Sequence, residues 1–190
     1  EVVKLLSEVI RDFAEGEILQ SINRFDTDTD LETYLEKSYF KTASLIANSA
    51  KAAGVLSDAP RDVCDHLYDY GKHLGLAFQI VDDILDFTSP TEVLGKPAGS
   101  DLISGNITAP ALFAMEKYPL LGKLIEREFA QAGDLEHALE LVEQGDGIRR
   151  SRELAANQAQ LARQHLSALE MSAPRESLLE LVDYVLGRLH

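Results

Sequence analysis

The chain has one cysteine, no tryptophan and two methionines among its 190 residues. The single thiol, Cys64, excludes an intrachain disulfide and a cysteine-built zinc site. Beside Val63 and Leu67 it reads as an ordinary buried thiol. Basic residues are scarce: 18 Lys and Arg stand against 32 Asp and Glu, a formal net charge of −14. Binding of nucleic acid or of an anionic membrane surface draws on basic surface, so neither is expected. An anionic substrate would need cations gathered locally, from Lys and Arg or from metal. No apolar run approaches the roughly 18 residues of a membrane span, and no signal peptide is visible. Cytoplasmic or plastid-stromal residence is the expectation.

Several familiar chemistries lack their residues too. His66, His73, His137, His165 and His190 do not stand at metal-ligand spacing from Glu or from one another, and no Glu-x-x-His of a di-iron bundle occurs. There is no Gly-x-Ser-x-Gly elbow, and the glycines around Lys96 do not make a nucleotide P-loop.

With 45% hydrophobic and 26% charged residues, the composition is that of a globular domain, and one domain is the default. Apolar spacing predicts helices over about 1–20, 31–53, 61–87, 106–118, 120–132, 134–143, 148–169 and 176–189. No strand-like alternation persists, so the fold class is all-α. Thr29 or Asp30 can cap the second helix. Within that helix, the small residues of Ala43-Ser44-Leu-Ile-Ala47-Asn-Ser-Ala50 read as a packing seam. The first residues already look like the interior of an amphipathic helix, so the chain reads as part of something longer.

The third helix is anomalous. On a helix advancing about 100° per residue, Gln79, Asp82, Asp83 and Asp86 share an arc of roughly 100°, and the rest of that stretch is apolar. Asp is a poor helix former, and like charges at i and i+4 destabilise a helix. Two readings stand side by side: a solvated helix face, or a site for divalent metal and polyphosphate, since hard cations take carboxylate oxygens. Gly71 and Gly75 thin the helix just before the cluster, as if something bulky approached. Lys41-Thr42 is a polar step inside the second helix, either a snorkelling surface lysine or part of a site. Lys96, between Gly95 and Pro97, suits solvation or closure over a phosphate.

Taken together, these residues carry a resemblance. Gly75-Leu-Ala-Phe-Gln79-Ile-Val-Asp82-Asp83-Ile-Leu-Asp86 followed by Gly95-Lys96-Pro-Ala-Gly-Ser-Asp101 resembles the second aspartate-rich motif and loop of the trans-isoprenyl diphosphate synthases. Tyr39-Phe-Lys41-Thr42-Ala-Ser-Leu45 resembles that family's Lys-Thr helix. Glu15-Gly16-Glu17 with Gln20, and Gly105-Asn106-Ile-Thr108-Ala-Pro110, are similar to segments of long-chain solanesyl and octaprenyl types.

The resemblance implies an isoprenoid-synthase-type helical bundle acting as a homodimer. It implies Mg²⁺-dependent condensation of isopentenyl diphosphate with an allylic prenyl diphosphate, elongating an all-trans polyprenyl diphosphate. Asp82, Asp83 and Asp86 would hold metal, Lys41, Thr42, Gln79 and Lys96 would bind substrate, and Lys41 with Asp82 would carry the catalytic roles. Residues 1–190 would be the C-terminal portion of one synthase domain, inactive alone. The first aspartate-rich motif, its paired arginines and the Gly-Gly-Lys-Arg segment do not occur here and would lie upstream. Farnesyl-type members carry a further Lys where this chain has Asn106. The rival expectation is a non-catalytic partner subunit of a heteromeric synthase.

Overall fold

The computed structural model describes residues 1–89, 95 and 97–189, and among these every regular element is helical. In chain order they are α1 (Val2–Ile22), α2 (Leu31–Ser38), a π-helical turn (Tyr39–Ala43), α3 (Ser44–Leu56) and α4 (Arg61–Thr88). Then follow α5 (Ser100–Ile103), α6 (Ala109–Lys117), α7 (Pro119–Glu126), α8 (Asp134–Gln144), α9 (Gly147–Leu166) and α10 (Ala173–Gly187). The all-α expectation holds. None of these helices is long and apolar enough to cross a membrane.

At 28 residues, or about 42 Å, α4 is the axis on which the rest packs. Its Leu74, Ala77, Ile80, Val81 and Ile84 are buried in the main core. On one side lies α9, whose Ala155, Ala159, Ala162 and Leu166 form an apolar stripe at spacings of three and four. On the other side lies α3, and here the small-residue seam is visible as geometry. A Cβ built on Gly75 would fall 2.5 Å from the Ala43 Cα, and one on Gly71 would fall 2.7 Å from the Ala47 Cα. The bulky object approaching these glycines is the backbone of the neighbouring helix.

The second predicted helix is interrupted where Lys41 and Thr42 lie. An unbroken α-helix would place Ala43 about 180° around from Tyr34. One extra residue absorbed in the π turn reduces this to about 80°. Tyr34 and Ala43 can then both turn toward α4. Asp30 caps α2 by accepting the Thr33 N–H at 2.8 Å. The helix predicted over 120–132 stops at Glu126, because Glu128 and Phe129 take positive φ and Arg127 turns back to pair with Asp134. Local periodicity did not carry the one-turn α5.

Two histidines of α4 meet a third, distant in sequence, where α4 faces α9. His66 and His165 bring their Nδ1 atoms to 3.2 Å, His73 stacks on His165, and His73 Nδ1 lies 2.7 Å from Gln158 Oε1. His66, Asp69 and His73 share one face of α4 at spacings of three and four. Burial holds the His73 pKa below its ordinary 6.5; Lys72 and His165 push it the same way, while Gln158 and Asp69 oppose.

Two consequences can be measured. Gly75→Ala improves helix propensity by about 1 kcal/mol, yet its methyl meets backbone that cannot yield, and overpacking costs about 1–3 kcal/mol. The denaturant midpoint should therefore fall; a rise would mean the α3–α4 seam is loose. For His73, a base whose pKa is lowered by folding favours its neutral form, so its contribution is complete above pH 6.5 and is lost below it. His73→Gln should flatten the acid-side fall in melting temperature, and an unchanged pH profile would remove His73 as its cause.

Candidate functional site

Asp83 is 3% exposed, in the interior between α4 and α2. Its Oδ2 accepts the Tyr34 hydroxyl at 2.6 Å and its Oδ1 accepts Gln79 Nε2 at 2.9 Å. Gln79 Oε1 in turn accepts the Thr42 hydroxyl at 2.7 Å. Burial pushes the Asp83 pKa up to about 7, against the pull of these two donors, and nearby Asp101 adds to the rise. Burial likewise drives the Tyr34 phenol well above its usual value, with Asp83 reinforcing it. The buried carboxyl therefore ties α2, α4 and, through Gln79 and Thr42, the π turn.

Lys41 projects from the π turn toward α1. Its Nζ donates to Gln20 Oε1 at 2.7 Å and pairs with Glu17 at 3.0 Å. Gly16 permits this approach, since a Cβ there would lie 2.9 Å from the Lys41 Cγ and 3.1 Å from its backbone nitrogen. One turn earlier, Lys37 donates from Nζ to Asn106 Oδ1 at 2.5 Å. Asn106, an uncharged residue, thus has an ammonium from α2 set beside it. Lys37, Lys41, Gln79, Asp83, Asp101 and Asn106 all line a cavity of about 140 Å³.

The remaining acidic residues diverge from this cluster. Asp82, 39% exposed, pairs at 2.6 Å with Arg188, a cation at the end of α10 that also lies over the Phe78 ring. Asp86 is buried, and its two oxygens accept the Ser100 hydroxyl at 2.8 Å and the Asp101 N–H at 3.0 Å, holding the start of α5. Among the described residues no three His, Cys, Asp or Glu side chains converge as ligands for one ion. Lys96 lies outside the described residues.

The donor set nonetheless fits a hard divalent cation held by one carboxylate. Asp82 presents oxygen to solvent and already draws a cation, and Mg²⁺ binds through one or two carboxylates plus waters and substrate phosphates. Gln79 bridges Thr42 and Asp83, and Lys41 shares the cavity with Gln79 and Asp83. Arg188, Lys37 and Tyr34 were missed, and only Tyr34 had any local signal, as a buried-type residue near the start of the Lys-Thr helix.

Tyr34→Phe should expose how much the buried carboxyl depends on its donor. Leaving Asp83 Oδ2 without a partner costs about 1–3 kcal/mol. The hydroxyl favours the charged carboxylate, so the loss of unfolding free energy should be larger above pH 7 than in acid. An equal loss on both sides would show that the hydroxyl does not act on the carboxylate.

Known proteins resemble this chain in sequence and in structure. Residues 1–142 match polyprenyl synthetase. The chain is 98% identical over 190 residues to a prenyl transferase of Synechocystis sp., covering 100% of this chain and 59% of that protein. It is 54% identical over 189 residues to solanesyl diphosphate synthase 1, chloroplastic, of Arabidopsis thaliana, covering 100% of this chain and 47% of that protein. The polyprenyl synthase of Caulobacter crescentus, solved in complex with calcium and isoprenyl diphosphate, superposes with a TM-score of 0.89 at 34% identity, covering 97% of this chain and 58% of that one. The chain thus spans less than two thirds of each of these proteins. The sequence motifs, the helical architecture and the match over residues 1–142 place the chain in the polyprenyl synthetase family.

Proposed function

We propose that the whole protein condenses isopentenyl diphosphate with an allylic prenyl diphosphate to elongate an all-trans polyprenyl diphosphate. The observation that carries this reading is the cavity where Lys41, Gln79 and Asp83 meet, with Thr42 bonded behind Gln79. When an allylic diphosphate ionises, negative charge develops on the departing pyrophosphate, and a fixed cation stabilises it without reorganisation. Lys41 is such a cation, preset by Gln20 and Glu17. Gln79 is fixed by Thr42 and Asp83, so its side chain can contact substrate without first being ordered.

Mg²⁺, when bound, would neutralise charge on the leaving group. Asp82 is the carboxylate of this chain best placed to hold it. Asp83 and Asp86 are committed to the protein's own hydrogen bonds here and would act chiefly by setting the helix and the start of α5. The calcium and isoprenyl diphosphate in the Caulobacter protein support a divalent ion in this family's sites. The solanesyl diphosphate synthase relative supports a long-chain product, and its chloroplastic placement supports the plastid-stromal reading and not the cytoplasmic one. The homodimer reading would use α1, whose Val3, Ile10, Phe13, Ile18 and Ile22 are exposed, as an apolar face for a second copy to cover.

The test is Asp82→Ala in the full-length protein, assayed with labelled isopentenyl diphosphate and with products sized. Turnover should fall about 100-fold or more, with the helical circular dichroism signal retained. Wild-type turnover would remove Asp82 from the machinery.

A further inference from the structure

Lys37 has no part in the chemistry derived above, yet it is 8% exposed, and burying a lysine side chain is costly unless its charge is used. Its ammonium carries three protons, and among the described residues Asn106 Oδ1 is its one hydrogen-bond acceptor. It also lies 5.6 Å from the centre of the Tyr34 ring, so one flank is packed and fixed. The same side chain lines the cavity shared by Lys41, Gln79 and Asn106.

We propose that Lys37 binds a phosphate oxygen of the diphosphate that enters this cavity, with Asn106 holding its ammonium in place. The inference rests on the diphosphate reading of the cavity and adds to it a second lysine, delivered from α2 one turn before Lys41. Burial depresses the Lys37 pKa, Asp83 and Asp101 oppose this and Lys41 reinforces it, and an anion in the cavity would further favour the charged ammonium. The asparagine contributes no charge of its own, but its carbonyl selects one position for Nζ. An ammonium fixed before substrate arrives loses less side-chain entropy on binding than a free surface lysine.

Because Nζ sits against Asn106, a lysine at position 106 can return an ammonium to the same corner. The experiment uses full-length protein and inorganic pyrophosphate with Mg²⁺, followed by titration calorimetry and by the KM for the allylic diphosphate. Lys37→Met should weaken pyrophosphate binding by about 10- to 100-fold, the range for one charge-assisted hydrogen bond. Lys37→Met/Asn106→Lys should recover most of that loss, and Lys37→Arg should keep more affinity than Lys37→Met. A purely structural Lys37 would lower the melting temperature and leave pyrophosphate affinity at the wild-type value, which overturns the proposal. Should Lys37→Met fail to fold, the double variant decides: wild-type-like binding supports the assignment, and weak binding by a folded double variant overturns it. Lys41→Met is the control for the cavity itself. Affinity sensitive to Lys41 alone removes only Lys37; affinity insensitive to both removes the diphosphate reading with it.

Discussion

Asp83 is buried beside the polar cavity with its oxygens taken up by Tyr34 and Gln79, and this arrangement constrains three elements at once. A carboxyl there is tolerated because it is hydrogen-bonded, and its pKa of about 7 records how far burial still disfavours the charge. Removing any partner would leave a buried acceptor open. Position and rotamer of Gln79 are therefore fixed by folding rather than by substrate, and Thr42 is fixed with it. A polar network of this kind is stable only when every member is satisfied.

That network can form only if α2, the π turn and α3 press closely against α4. The seam of Ala43 and Ala47 against Gly75 and Gly71 sets the approach, since even one methyl group would meet backbone. The π turn brings the residues on either side of it to the same neighbour. Lys41 emerges from that turn and meets α1 over Gly16, where a side chain would collide. Close packing, rather than flexibility, is what aims the polar groups.

The electrostatics follow from the same economy of cations. A chain with a formal net charge of −14 has no general attraction for a diphosphate. It concentrates Lys37 and Lys41 in one cavity, balances them with Asp83 and Asp101, and keeps Asp82 against Arg188 at the margin.

Much of this was legible in the residues themselves. The spacing of Leu74, Ala77, Val81 and Ile84 determined that α4 is a helix with one buried face, and the Asp82, Asp83 and Asp86 cluster marked where that helix departs from ordinary composition. The run from Ala43 to Ala50 announced a seam, because small side chains have no other common use on a buried helix face. The sequence could not separate the three aspartates, which look equivalent along one arc. Tertiary structure did so by giving Asp83 to Tyr34, Asp86 to the start of α5, and Asp82 to Arg188 from the far end of the chain. It also brought His165 of α9 against His66 and His73 of α4 and set Lys37 against Asn106. Helical periodicity is a local property, fixed by residues three and four apart. The partner of a buried charge is chosen by which helices the core brings together.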